Sequence, residues 1–162
     1  MLTDLTIRNL KPREKAYKVA DRDGMYVVVS PTGNKSFRFD LPDRSIVYTG
    51  DTGPSASVEQ LAKGADLLVS EMIDVDATVA IVHRNSPDMT APMLQGLVRH
   101  LSTHHLTREQ VGDLAARAGV KKVVITHFVP GDADEARKAG YLSRLHSRYP
   151  GPAEIADDLD RY

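Results

Sequence analysis

From Ser55 to the C-terminus, short runs of consecutive apolar residues alternate with segments whose apolar residues recur at helical spacing, and no other feature restricts the fold as much. Val58, Leu61 and Ala62 lie on one helical face before Gly64, and Leu67-Leu68-Val69 then reads as a strand buried on both sides. Helices are expected from about Thr90 to Thr103 and from Thr107, where Gln110 completes a capping signature, to Gly119. Asp132 with Glu135 opens another, running to about Arg148. Lys121–Thr126 carries the buried strand Val123-Val124-Ile125, and Pro152–Ala156 is a last short strand. Residues 71–89 read as irregular. Strands separated by helices are joined by crossovers and run parallel, so this region is α/β.

The first fifty residues have a different rhythm. Thr3 caps a short helix ending near Leu10, before Pro12. Met25–Ser30 and Ser36–Asp40 are strands about the turn Pro31-Thr32-Gly33-Asn34, and Ser45–Thr49 is a third. The hairpin Met25–Asp40 is expected to pair onto Ser45–Thr49 and extend the sheet.

Composition removes several functions. The 162 residues contain no cysteine, which excludes disulfides, thiolate nucleophiles and Cys-based metal sites and leaves His and carboxylates as strong ligands. The net charge is −1, so there is no overall electrostatic footprint for nucleic acid. Residues 1–40 do hold eight basic side chains against five acidic ones, a local excess that a solvated surface would also explain. The longest apolar runs are far shorter than the ~20 residues of a membrane span, and no signal-peptide pattern follows the N-terminus, so a cytoplasmic protein is expected.

Two residues share a topological position. Asp51 follows the strand Ile46-Val47-Tyr48 and His127 follows Val123-Val124-Ile125, and the carboxyl ends of parallel strands are where α/β sheets build sites. Gly50 and Gly53 let the chain turn sharply around Asp51. The alternatives are an aspartate that caps a turn and an ordinary strand-end histidine. Glu71, just after the strand Leu67-Leu68-Val69, is either a third residue of the same crevice or simply a charged residue where the chain leaves a buried strand. His100 and His104, four residues apart, lie on one helical face, where they are either a metal pair or a solvent-facing pair.

The blocks Gly50-Asp51-Thr52-Gly53-Pro54-Ser55, Ala65-Asp66-Leu67-Leu68-Val69-Ser70-Glu71, His105-Leu106-Thr107-Arg108-Glu109-Gln110 and Gly119 through Pro130 resemble, in order, the C-terminal half of metallo-β-lactamase-fold metallohydrolases of the ribonuclease Z-like branch. The resemblance implies half of an αββα sandwich over residues 37–162. It implies that Asp51 and His127 are metal ligands, for zinc or manganese, and that His105 opens a His-x-Thr helix beside the active site as a catalytic residue. The family's His-x-His-x-Asp-His motif is nowhere in the chain, so the metal site is incomplete. A catalytic zinc ordinarily keeps three protein ligands and a water. A truncated or chimeric hydrolase with little or no activity is therefore expected.

Residues 1–36 resemble something else. Ile7-Arg8-Asn9-Leu10-Lys11-Pro12, Tyr17-Lys18-Val19, Gly24 through Val29 and Pro31 through Phe39 are similar to the start of the arm-site DNA-binding domain of tyrosine recombinases of the phage integrase type. That resemblance implies weak DNA binding through Lys11, Lys15, Lys18, Lys35 and Arg38, as the alternative function. One of two αβ halves that pack face to face leaves a sheet face without its partner, and a homo-oligomer that covers it is expected.

Overall fold

The computed structural model describes residues 1–131, 133–159 and 161–162. The elements are α1 (Asp4–Asn9), β1 (Tyr17–Ala20), β2 (Met25–Val29), β3 (Lys35–Asp40), β4 (Ser45–Tyr48), α2 (Ala56–Ala62), β5 (Leu67–Ile73), α3 (Val75–Asn85), α4 (Ala91–His104), α5 (Arg108–Ala118), β6 (Lys122–Val129), α6 (Glu135–His146) and β7 (Ala153–Ile155). The seven strands form one sheet in sequence order. Pairing is antiparallel from β1 to β4 and parallel from β4 to β7. The hairpin does extend the sheet, with Phe37 opposite Tyr48 and Asp40 opposite Ser45.

One face of this sheet holds the core. Val47, Leu68, Val123 and Ile125 pack against Val58 and Leu61 of α2, Val111, Leu114 and Ala115 of α5, and Tyr141 and Leu145 of α6. Four helices, α1, α3, α5 and α6, start where a short polar side chain takes one of their first N–H groups. Thr107 and Gln110 form a reciprocal capping box, and Gly119 ends α5 at φ 66, a left-handed backbone that glycine adopts without steric cost. The N-cap of α6 is Asp134, which accepts from Arg137 N at 2.8 Å. Asp132, half of the expected capping pair, lies outside the described residues.

The opposite face presents the cross-strand rows Val27-Phe37-Tyr48-Val69-Val124 and Met25-Phe39-Ile46-Leu67. Tyr48 is 43% exposed, and Phe37, Phe39, Ile46, Leu67 and Val69 are only partly covered.

Two expectations are corrected, and one strand was not expected. Residues 71–89 are not irregular, since β5 continues to Ile73 and α3 follows, capped by Asp74 on Ala77 N. β1 is an edge strand bound only to β2. His127 lies within β6, which runs on to Val129, rather than after it.

Candidate metal centre and the adjoining acid–base pair

Asp51 and His127 meet at the carboxyl ends of β4 and β6, with Asp51 Oδ1 2.6 Å from His127 Nδ1. A carboxylate only accepts, so the imidazole donates from Nδ1. A β-bulge produces the meeting. Ser70 pairs with Ile125 but Met72 pairs with Phe128, so β6 carries one residue more than β5 across this interval. His127 occupies the bulge with φ 44, a backbone that costs a non-glycine residue about 1–2 kcal/mol. The extra residue re-aims its side chain outward. Both members of the pair are about half exposed.

Glu71 and His105 form a second pair just inside. Glu71 is 3% exposed, and its Oε2 lies 3.0 Å from His105 Nδ1. Its Oε1 accepts from Leu106 N at 2.8 Å and Thr52 N at 3.3 Å. Burial is the largest influence on this carboxyl and holds its pKa above the ordinary glutamate value, against the opposing pull of Leu106 N–H and His105. Through Thr52, Glu71 grips the turn that carries Asp51. Through Leu106, whose carbonyl accepts from Ile73 N at 2.8 Å, it grips the segment that carries His105.

Gly53 is required by proximity. A Cβ there would stand 1.8 Å from the carbonyl oxygen of Thr103, near the end of α4.

The donor set can be tested against a metal. Among the described residues no group of three or more His, Cys, Asp or Glu side chains is placed to hold an ion. His105 is turned to Glu71, so it does not make a third ligand with Asp51 and His127. His100 and His104 do share a face of α4, with ring centroids 4.6 Å apart, but His104 Nδ1 is directed at the His100 carbonyl at 3.0 Å. Two donors do not fit a catalytic zinc.

The basic residues of the N-terminal segment are dispersed. Lys11 and Lys15 are exposed, Lys35 is partly covered, and Lys18 Nζ lies 3.3 Å over the Tyr26 ring. Arg38 is turned inward, donating to Asp40 and to the carbonyls of Leu61 and Lys63. No helix among the described residues is long and apolar enough to cross a membrane. The residue least legible in sequence was Glu71 in its role as an anchor, because the backbone groups it binds lie 19 and 35 positions away.

The family described as Arm DNA-binding domain matches residues 2–71. Ribonuclease Z of Mycobacterium avium (strain 104) is 32% identical over 149 residues, covering 88% of this chain and 49% of the relative. This similarity reaches upstream of Phe37 and overlaps the Arm DNA-binding match. The chain spans about half the length of the curated relatives it matches. Among solved structures, the metallo-beta-lactamase fold protein YhfI from Bacillus subtilis matches with a TM-score of 0.57 at 17% identity, over 87% of this chain and 50% of that one. Human tRNase Z, short form, matches with a TM-score of 0.51 at 18% identity, over 91% and 46%. The fold is that of an αβ half of a metallo-β-lactamase sandwich.

Proposed function

We propose that this chain is the αβ half of a ribonuclease Z-like metallohydrolase, carrying part of a divalent-metal site and hydrolysing little or nothing unaided. The supporting observation is the Asp51–His127 contact of 2.6 Å, at the strand ends where the resemblance puts two ligands. Zinc or manganese would be held weakly by this pair, and activation of water needs donors that these residues do not supply. His105, oriented by the buried Glu71 carboxylate, is the group positioned to exchange a proton with a substrate at the same strand ends. The ribonuclease Z relatives make an RNA phosphodiester the favoured substrate class.

A second copy of the chain is proposed to cover the apolar sheet face. Such a dimer repeats the same two donors and adds no different ones. Metal content decides the reading. Protein purified without added metal is expected to retain well under one zinc or manganese ion per chain, and Asp51→Ala or His127→Ala to abolish what added ion it takes up. Stoichiometric tight metal with robust, chelator-sensitive turnover by the wild-type chain would refute it.

DNA binding is the alternative, favoured by the Arm DNA-binding match over residues 2–71. With Arg38 engaged inside, Lys11, Lys15 and Lys18 are its candidates. Salt-dependent retention on duplex DNA that disappears in the triple alanine variant would support it.

A further inference from the structure

Asp51 lies 2.6 Å from His127, yet its side chain is about half exposed, and the residues on either side of it hold its turn in place. Thr49 and Thr52 are fully buried. From the sheet, β5 holds both flanks, because Val69 O accepts from Thr49 N at 3.0 Å and Glu71 Oε1 accepts from Thr52 N at 3.3 Å. A second grip comes from the N-terminal segment.

The β3–β4 ladder ends at Phe37 opposite Tyr48, and beyond it side chains take over from backbone rungs. Ser36, 2% exposed, donates from Oγ to the Thr49 carbonyl at 2.7 Å. Asn34 donates from Nδ2 to Thr52 Oγ1 at 3.3 Å. Between them the Lys35 carbonyl oxygen lies so close that a Cβ on Gly50, whose φ is 63, would stand 3.0 Å from it. Three consecutive residues thus touch Thr49, Gly50 and Thr52, on both sides of Asp51.

Asn34 is itself fixed before it reaches Thr52. Its N–H donates to Ser30 Oγ at 3.0 Å, its carbonyl accepts from Ser30 N at 2.9 Å, and Ser30 is buried. A cavity of about 460 Å³ opens between the β2–β3 turn and the Asp51 turn, with Ser30, Thr32 and Asn34 on one side and Thr52, Gly53 and Pro54 on the other. Close-packed side chains would hold two turns together whatever became of one hydrogen bond. Beside open space, the Asn34–Thr52 bond sets their separation.

We infer that Asn34 is a positioning residue for Asp51, supported on the other flank by Ser36, so that the β2–β3 turn holds the Asp51 carboxylate against His127 Nδ1. The inference rests on the reading of these two residues as the donor pair of the site. It assigns part of that site to residues ahead of Phe37.

The test reads the His127 ring of the metal-free full chain by the NMR chemical shifts of its nitrogens, because the hydrogen bond that Asp51 accepts selects the tautomer protonated on Nδ1. A pH near 8.5, about two units above the ordinary histidine pKa, keeps the ring neutral. Asn34→Ala is expected to lower the ratio of the Nδ1–H to the Nε2–H tautomer about 5-fold, the factor that one neutral hydrogen bond supplies. Asn34 is only partly covered and borders the cavity, so this variant leaves the core intact. Asn34→Gln, whose longer amide has the cavity to occupy, should recover most of the ratio, and Ser36→Ala should lower it as Asn34→Ala does. Val120→Ala, a core truncation just ahead of β6 and remote from the turn, should lower the melting temperature and leave the ratio unchanged. A wild-type ratio in Asn34→Ala overturns the inference, as does an equal shift in Val120→Ala. A wild-type ring with no excess of Nδ1–H overturns both the inference and the contact behind the proposed function. Cobalt(II) titration of the same samples separates the two claims. A tautomer that responds to Asn34 in protein that takes up no cobalt supports the positioning role and counts against the metal reading alone.

Discussion

Glu71 shows most plainly how one side chain ties sequence to site. Its oxygens satisfy two buried backbone N–H groups and one imidazole, so shortening it leaves those donors without partners. Glu71→Ala is expected to cost about 3 kcal/mol, while Glu71→Gln, which keeps an acceptor for the backbone, should cost about 1 kcal/mol or less. Chemical denaturation of the two variants checks the difference. The raised carboxyl pKa also has a sign. A group that holds its proton more tightly folded than unfolded makes the fold most stable below the unfolded value of 4.5 and less so as pH rises through the folded pKa. Glu71→Gln should remove that decline, and an unchanged stability–pH curve would contradict the assignment. Asp51 was legible as a strand-end residue, but the continuation of β6 past His127 and the bulge that turns His127 outward were not, because Thr126-His127-Phe128 carries no glycine or proline to mark them.

Between elements, the contacts are set by backbone proximity and by charges at strand ends. Gly53 lets the Asp51 turn lie against the end of α4, and Gly53→Ala must separate them. A loss of about 2–3 kcal/mol is expected, with weaker His105 positioning, measurable as a lowered melting temperature. At the other end of the parallel strands, Asp66 accepts from Ser45 N at 2.7 Å and lies 2.6 Å from Lys121 Nζ, joining the starts of β4 and β6. The Lys121 ammonium, then the Ser45 N–H, lower its pKa from 3.8 to about 2. A depressed carboxyl stabilises the fold fully above pH 3.8 and loses that contribution as pH falls towards 2. Asp66→Asn should therefore flatten this part of the acid-unfolding curve. Most elements were readable from caps and apolar runs. α3 escaped because Val75, Thr78, Val79, Ile81 and Val82 give β-branched character to a segment that Asp74 nevertheless caps as a helix. β1, four residues long and half exposed, depends on its pairing with β2.

The whole molecule has a helix-covered sheet face and one that is incompletely covered. Tyr48, Phe37, Ile46 and Val69 form a contiguous apolar surface of the kind that association removes from water. Light scattering is expected to find a dimer or larger assembly, and Tyr48→Lys combined with Val69→Lys to shift it towards monomer. A monodisperse wild-type monomer would show that this face tolerates water.

The order of elements, the shift from hairpin to crossover, the strand-end position of Asp51 and the want of a His-rich ligand motif were all local facts of residue order, written in periodicity and capping. Tertiary structure alone decided that His127 bulges out to reach Asp51, that Glu71 turns inward to hold His105, and that Asn34 and Ser36 reach the turn that carries Asp51. Each of these joins side chains far apart along the chain, and such contacts exist only once the strands have found their register and the helices their packing.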